Sequence, residues 1–324
     1  MPSFLDLPAE LHGLIIAEVL FGVCPPPAEP ARTNRTIFQD LNFKAWGRRR
    51  IYQEQRSTHS PSNGFALLLT SRLISAETQA ILQRPGSIQY HLDISMLNEV
   101  ELFATWLGVP QITTRVSTVY ASVRLFGHII SYAAARSQSG DGGHLGFHWS
   151  FYALLERLLA YGPVDEKVGR EKPNSWTNPT YTDREVTIDT VVLDFSSAER
   201  ELSFPPSEVD YQWWWRQHCA MIRPSADGVD LPEYKGRPDW VARRLTDELR
   251  GLLALTNHTA SYGAILYERI GTIRVLVDGE VYRELDLNEE LAELGEMGKE
   301  RSVRELQAIR EERFAERGDQ SSSI

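Results

Sequence analysis

Apolar residues recur every three or four positions over the first twenty residues of the chain, the spacing of one helical face. Asp6 is placed to cap this helix, and Pro8 is tolerated in its first turn. The predicted buried face consists of Leu7, Leu11, Leu14, Ile15 and Val19. Further apolar surface lies beyond that face, at Ile16 and Leu20. We therefore expect an outer side that the chain's own packing leaves partly exposed.

A proline-rich, basic segment, residues 24–64, follows the helix. Its five prolines prevent the helical pattern from continuing: Pro25, Pro26, Pro27, Pro30 and Pro61. Seven basic residues against three acidic ones give the segment a local charge of +4. Two interpretations stay open, a contact for an acidic partner and a solvated loop. The solvated loop is favoured, because the single arginine triplet at 48–50 is a weak signal.

Beyond residue 64 the pattern alternates between helix and strand. Apolar residues at a spacing of three or four indicate helices, and strict alternation indicates strands. The predicted elements are, in chain order, a helix at Phe65–Leu82, a strand at Ser87–Ile94, a short helix at Glu99–Leu107, a strand at Val116–Phe126, a helix at His148–Tyr161, a strand at Val186–Phe195, a helix capped by Asp239, a hairpin at Arg269–Leu285 with its turn at Asp278-Gly279, and a charged helix beyond Leu287. The last helix has a thin apolar stripe, so we expect it to be peripheral and partly frayed.

This alternation predicts a fold between the α+β and α/β classes. Strands separated by helices favour parallel crossover connections, and the uneven strand spacing makes the arrangement only loosely similar to leucine-rich repeats. We predict three regions. They are a helical region at 1–85 that contains the insertion at 24–64, an α/β interaction domain at 86–286, and a charged helix with a polar tail at 287–324.

Composition and charge exclude several classes of protein. A hydrophobic content of 42% and a charged content of 24% are typical of a soluble globular chain, and the formal net charge of −10 disfavours nucleic acid as a partner. The most apolar stretch, Leu11–Val23, contains His12 and Glu18 and is too short to span a membrane; no secretory signal is expected either. Cys24 and Cys219 have no disulfide or metal-site spacing, so a reducing compartment, cytoplasmic or nuclear, is expected.

No motif of high specificity predicts catalysis, a metal or a cofactor. The glycines of 139–146 do not directly follow a strand, as a dinucleotide-binding loop must, and are interpreted as a flexible loop. His144 and His148 have a metal-like spacing but lack a third ligand. His218 and Cys219 are adjacent in sequence, which does not make them a base and nucleophile placed by a fold. A non-enzymatic protein is therefore expected.

An enzyme without a recognisable motif stays open as a weaker alternative. Its only candidate groups are Asp93, Asp189 and Asp194, which occupy predicted strand positions. Such a site would require a deep polar pocket with perturbed titratable groups.

Three consecutive indoles, Trp213, Trp214 and Trp215, are an unusual feature of the chain. Neighbouring residues of a helix or strand point in different directions, so at least one indole is expected to reach a surface groove or a partner. The triplet is either a contact for a substrate protein or a plug that seals the side of the sheet, and the plug is slightly favoured.

Two sequence motifs resemble a known family. Phe4–Leu11 (FLDLPAEL), followed by Ile15 and Leu20, resembles the opening of an F-box, a Leu-Pro-x-Glu-Leu helix start that continues with apolar residues at helical spacing. Leu67–Arg72 (LLLTSR) with Ile74–Glu77 (ISAE) is similar to the helix that follows in fungal F-box-like proteins. Shorter similarities lie at His91–Asp93, Glu101–Leu102, Trp106–Leu107, Tyr267–Arg274 and Val277–Glu280.

The resemblance implies the substrate receptor of a ubiquitin ligase. F-box helices bind the Skp adaptor of a cullin-RING complex, and the downstream domain holds the protein to be ubiquitinated. The residues implied in adaptor binding are Leu5, Leu7, Pro8, Leu11, Ile15, Ile16 and Leu20. A typical F-box is a compact helical unit, whereas an insertion of about forty residues separates the two helices here. An interaction protein of the same fold without a ligase function is the alternative.

Overall fold

The computed structural model describes residues 7–37, 51–54, 62–127, 147–163, 183–198, 236–256, 260–296 and 300–315. Over these residues the chain is a mixed α/β structure with eight helices and one eight-stranded sheet. Several residues singled out in the sequence lie outside the described part: Leu5, Asp6, the glycine-rich stretch 139–146 with His144, Trp213, Trp214, Trp215, His218 and Cys219.

The helices and strands alternate irregularly along the chain. The helices are α1 (Ala9–Phe21), α2 (Gly64–Leu68), α3 (Arg72–Leu82), α4 (Phe147–Tyr161), α5 (Pro238–Leu253), α6 (Ala260–Arg269), α7 (Leu287–Glu296) and α8 (Glu300–Ala315). The strands are β1 (Arg35–Ile37), β2 (Ile51–Glu54), β3 (Gln89–Leu97), β4 (Glu101–Gly108), β5 (Arg115–Phe126), β6 (Thr187–Ser197), β7 (Ile270–Val277) and β8 (Glu280–Asp286).

The sheet has a parallel centre and antiparallel pairs toward its edges. Its strand order is β1-β2-β4-β3-β5-β6-β7-β8, and β3, β5, β6 and β7 are parallel to one another. β4 is antiparallel to β3, and β8 is antiparallel to β7. The predicted crossover connections are confirmed, because α4 lies between β5 and β6 and because α5 and α6 lie between β6 and β7. The likeness to leucine-rich repeats is not confirmed.

The predicted short helix at Glu99–Leu107 is wrong, because these residues form β4. Asn98 and Glu99 have φ angles of 54° and 53°, and this left-handed pair turns the chain back from β3 into β4. Asparagine tolerates such a conformation, but glutamate rarely adopts it. The turn therefore lacks the glycine that would have marked a hairpin in the sequence.

The other central elements lie close to their predicted positions. β5, β6 and α4 match the predicted strands and helix within about two residues, an ordinary boundary difference. The hairpin of β7 and β8 is confirmed, and Asp278 and Gly279 form its turn with φ angles of 51° and 83°. The helix predicted to be capped by Asp239 begins instead at Pro238, so Asp239 lies within its first turn.

Part of the segment predicted as a loop, residues 24–64, belongs to the sheet. β2 pairs in parallel with β4, and β1 pairs with the outer side of β2. The side chain of Ile51 is fully buried in the main core. The basic residue Arg35 also points inward and donates to the carbonyl oxygen of Ala104 at 2.8 Å and to Thr105 Oγ1 at 2.7 Å. The segment carries structural residues as well as exposed ones.

The main core lies between one face of the sheet and helices α4 to α8. Alternate positions of each central strand point toward these helices, as the two-residue period of a strand requires. Tyr90 and Tyr267 are fully buried there, and their hydroxyl groups donate to the carbonyl oxygens of Gln111 and Leu253. The last helix, α8, is docked rather than frayed, because Val303 and Leu306 join this core.

Candidate docking surface of the N-terminal helices

The first helix buries the side that the sequence pattern placed outside. The buried residues of α1 are His12, Ile16 and Leu20, one turn apart from each other, and the exposed fraction of Ile16 is 1%. The opposite side is exposed and apolar. It carries Leu11, Leu14, Ile15 and Val19, of which Leu14 is the most exposed at 67%. The predicted buried face at Leu7, Leu11, Leu14, Ile15 and Val19 is therefore wrong.

A polar contact accompanies this orientation of α1. His12 is 3% exposed, and its Nδ1 atom lies 3.4 Å from Oε1 of Glu77 on α3. Ile16 and Leu20 pack in the same direction and form a second core with the α3 residues Ile74, Ile81 and Leu82. A sequence pattern that counts apolar residues assigns a histidine to the solvent side, so it chose the wrong face.

The end of α1 is held by residues that precede and begin α2. Asn63 Nδ2 donates to the carbonyl oxygens of Leu20 and Gly22, at 3.1 and 3.0 Å, which satisfies acceptors of the last helical turn. Gly64 lets the two helices approach, because a Cβ atom there would lie 2.9 Å from Leu20 Cδ2 and 2.6 Å from the carbonyl oxygen of Pro110. These contacts fix α1 against α2.

The single helix predicted at Phe65–Leu82 is two helices in the structure. The chain leaves α2 after Leu68 and enters α3 at Arg72, and Ser71 Oγ accepts from the Ile74 N–H as the cap of α3. The break leaves a row of large apolar side chains exposed: Phe65, Leu69 and Leu73, with Leu69 exposed by 71%.

We call these exposed side chains the docking surface, which consists of Leu11, Leu14, Ile15 and Val19 on α1 with Phe65, Leu69 and Leu73 on α2 and α3 and between them. All belong to one unit, because α1 packs against both α2 and α3. Single exposed leucines are common, but seven large apolar side chains exposed on three packed helices make this part of the molecule a candidate for binding a partner.

The residues implied in adaptor binding divide between this surface and the interior. Pro8, Leu11 and Ile15 are exposed and Leu7 is partly exposed, whereas Ile16 and Leu20 are buried and belong to the fold. Leu5 lies outside the described residues. Sequence reasoning missed Leu14 and Val19 as surface residues. It also missed Phe65, Leu69 and Leu73, whose four-residue spacing is equally typical of a buried face. The available signal was the excess of apolar residues on α1.

The candidate carboxylates are not assembled into one site. Asp93 is fully buried, and its carboxylate accepts hydrogen bonds from Arg124 Nε at 2.5 Å and from Ser95 Oγ at 2.9 Å. Asp194 accepts from the Tyr120 hydroxyl and from the Gly279 N–H, so it joins β5 to the hairpin turn. Withdrawal from water, and then the hydrogen bond to Asp194, raise the pKa of Tyr120 to about 12. Asp189 lies toward the other end of β6 from Asp194.

A group of titratable side chains lies where α4 meets α5. Burial, and then the positive charge of Arg244, lower the pKa of His148 to about 4. His148 Nε2 is 3.7 Å from Oε2 of Glu248, but with this pKa the imidazole is neutral at pH 7 and the contact is not an ion pair. Burial also raises the pKa of Glu99 to about 7.

The described residues contain no group of three or more histidines, cysteines or acidic residues that could hold a metal ion. In the same part of the chain no helix has the length and apolar character needed to cross a bilayer. Comparisons with known protein families, with curated proteins and with solved structures find no match to this chain. Inferences about function therefore depend on the residues themselves.

Proposed function

We propose that this protein is an F-box-like substrate receptor of a cullin-RING ubiquitin ligase and that α1 binds the Skp adaptor. The Leu-Pro-Ala-Glu-Leu motif at 7–11 stands at the start of α1, as the F-box resemblance requires. Ala9 is the first helical residue and Pro8 precedes it. A non-enzymatic role is part of the proposal.

The observation that carries the proposal is the exposed aliphatic face of α1. Leu11, Ile15 and Val19 recur every four residues along one side of the helix, and Leu14 widens that side. An apolar helix face of this kind fits a hydrophobic groove on a partner, into which side chains three and four residues apart insert as anchors. Burying such anchors excludes water and supplies most of the binding energy.

The structure changes which residues the proposal assigns to the adaptor. Leu7, Pro8, Leu11 and Ile15 are retained from the sequence motif, and Leu14 and Val19 are added. Ile16 and Leu20 are removed, because they pack against α3. Leu5 and the substrate contacts at Trp213, Trp214 and Trp215 remain proposals from the sequence.

One observation favours the alternative, an interaction protein of the same fold that serves no ligase. Residues between α1 and α2 contribute β1 and β2 to the sheet, and Cys24 N donates to the Leu107 carbonyl oxygen on β4. The N-terminal helices are therefore joined to the sheet, whereas a typical F-box is a separate compact unit. In this alternative the docking surface binds another protein.

Reconstitution with purified components separates the two functions. The full-length chain is mixed with a recombinant Skp adaptor and its cullin, and the complex is isolated by size exclusion. The proposal expects one stable complex that contains all three proteins. The Leu14→Asp variant is expected to be absent from that complex. The Val281→Asp variant, changed at a similarly exposed apolar position on β8, is expected to be part of it. If the folded wild type does not bind the adaptor, the alternative replaces the ligase function.

A further inference from the structure

A cavity of about 710 Å³ lies between the sheet and α4. Its floor is formed by side chains on the core face of the central strands, among them Leu92, Ala121, Val191 and Leu193. Its other wall is formed by Phe151, Leu154, Leu155 and Leu158 of α4, and Leu245 and Leu249 of α5 close one end. The volume is in the range of small-molecule sites, roughly 300–1,000 Å³.

The walls of the cavity are mostly apolar and belong to the margin of the main core. Trp106, Leu154 and Leu155 line it and remain partly exposed, although they stand on the edge of the main core. Protein interiors hold few voids larger than a water molecule, and an apolar void destabilises a fold in proportion to its volume. Water gains little there, because an apolar wall offers few hydrogen-bond partners. An apolar guest is the occupant that these walls fit.

The rim of the cavity is polar and its charges balance. Glu29 and Glu54 stand there beside Arg35. The Arg35 guanidinium is engaged by the Ala104 carbonyl oxygen and Thr105 Oγ1, and Glu54 Oε1 lies 3.9 Å from it. Arg157 also lines the cavity, and its guanidinium carbon lies 5.6 Å from the centroid of the Tyr161 ring. With these cations already engaged, the rim does not favour a charged ligand.

We propose that this cavity binds an uncharged, largely apolar small molecule whose polar end reaches the rim beside Gln53 and Asn63. Both side chains line the cavity. The Gln53 amide can donate and accept hydrogen bonds, whereas Asn63, whose Nδ2 donates to the carbonyl oxygens of Leu20 and Gly22, can offer its Oδ1 as an acceptor. This site is distinct from the docking surface, since none of the exposed residues that define that surface lines the cavity. The inference therefore does not depend on the ligase function.

Titration with the uncharged dye Nile red tests the proposal. Its fluorescence should rise on binding to the wild-type chain with a stoichiometry of one. Ala121→Phe places a ring in the cavity and should weaken dye binding at least tenfold. Leu155→Trp, at a partly exposed lining position, gives the same test if Ala121→Phe does not fold. Leu14→Asp is the matched control for dye bound to the docking surface and should keep full binding.

Competition with three ligands of equal chain length tests the assigned charge. Dodecanol should displace the dye at a concentration at least tenfold lower than dodecanoate or dodecylammonium. Absence of dye binding to the wild type overturns the proposal. Binding that Leu14→Asp abolishes and both cavity variants retain overturns it too, because the dye is then on the docking surface. Stronger competition by either charged ligand overturns the assignment of a neutral ligand.

Discussion

His12 Nδ1 lies 3.4 Å from Glu77 Oε1, and this contact between α1 and α3 accompanies the burial of one side of α1. The imidazole is 3% exposed, so a polar residue lies inside together with Ile16 and Leu20, whereas the aliphatic residues Leu11, Leu14 and Ile15 are outside. A surface helix of a globular protein usually turns its aliphatic side to the core and its polar side to water. The exposed aliphatic side is what makes α1 a candidate for binding another protein.

Two substitutions on α1 are expected to affect stability very differently. Ile16→Asp places a carboxylate in the core formed with α3 and should lower the free energy of unfolding by about 3 kcal/mol or more. Leu14→Asp, on the exposed side, should change it by less than about 0.5 kcal/mol. Urea unfolding followed by circular dichroism measures both. Equal losses for the two variants would show that both sides of the helix are packed.

The ion pair of Asp93 and Arg124 is expected to stabilise the sheet only as a pair. Arg124 Nε lies 2.5 Å from Asp93 Oδ1, and its Nη2 also donates to the Pro27 carbonyl oxygen at 2.7 Å. Asp93→Ala leaves the guanidinium without its buried counter-charge and should cost about 3–5 kcal/mol. The double variant Asp93→Leu with Arg124→Met should cost clearly less. The midpoints of denaturant unfolding of the wild type and both variants measure these losses. A double variant at least as unstable as Asp93→Ala contradicts this account.

Gly279→Ala is expected to cost about 1 kcal/mol through backbone strain alone. The φ angle of Gly279 is 83°, and no atom lies within 4 Å of the position that a Cβ would take, so crowding does not contribute. The matched control is Gly251→Ala near the end of α5, which also has open space but no positive φ, and which should stabilise the chain by about 0.5 kcal/mol. Thermal unfolding of both variants should show shifts of opposite sign.

Part of the fold could be predicted from sequence, and the misses have physical causes. The strands β5 and β6 and the hairpin at Asp278-Gly279 have local signals, because alternation and turn residues act over a few positions. β4 was missed because its turn uses Glu99 at positive φ. The docking of α8 was missed because it depends on a distant contact. Arg310 donates to the carbonyl oxygens of Ile270 and Gly271 at 2.5 and 3.2 Å.

The candidate site was predicted in part for a similar reason. The excess of apolar residues on α1 is visible in the sequence, and it correctly indicates an exposed face. Which face is exposed depends on Glu77, sixty-five residues away from His12. No period in the sequence of α1 contains that information. The exposed row at Phe65 and Leu69 likewise depends on where α2 ends.

His148 is expected to make the protein less stable as the pH falls. Its pKa is about 4 in the folded protein, against about 6.5 in an unfolded chain. Between these values the unfolded state binds more protons, so stability decreases from about pH 6.5 down to about pH 4, by about 2 kcal/mol. His148→Gln should remove this dependence. The raised pKa of Glu99, to about 7, acts in the opposite direction, with stability falling as the pH rises toward 7.

The comparison of wild type with His148→Gln also controls for Glu99, because both chains contain Glu99 and its contribution cancels in the difference. Urea unfolding at pH 7, 5.5 and 4.5 gives the difference in free energy between wild type and His148→Gln at each pH. The difference should change steadily in favour of the variant as the pH falls. A difference that is constant with pH would mean that His148 titrates at its ordinary pKa.

The affinity of the full-length chain for a purified Skp adaptor tests the central claim most directly. Isothermal titration calorimetry is carried out with wild type, Leu14→Asp and Val281→Asp, each shown to be folded by circular dichroism. The account predicts measurable binding by wild type and Val281→Asp, and a Kd at least about thirty-fold weaker for Leu14→Asp, since an anchor in a groove contributes about 2 kcal/mol or more. A folded Leu14→Asp variant that binds with the wild-type Kd, or a wild type that does not bind, contradicts it.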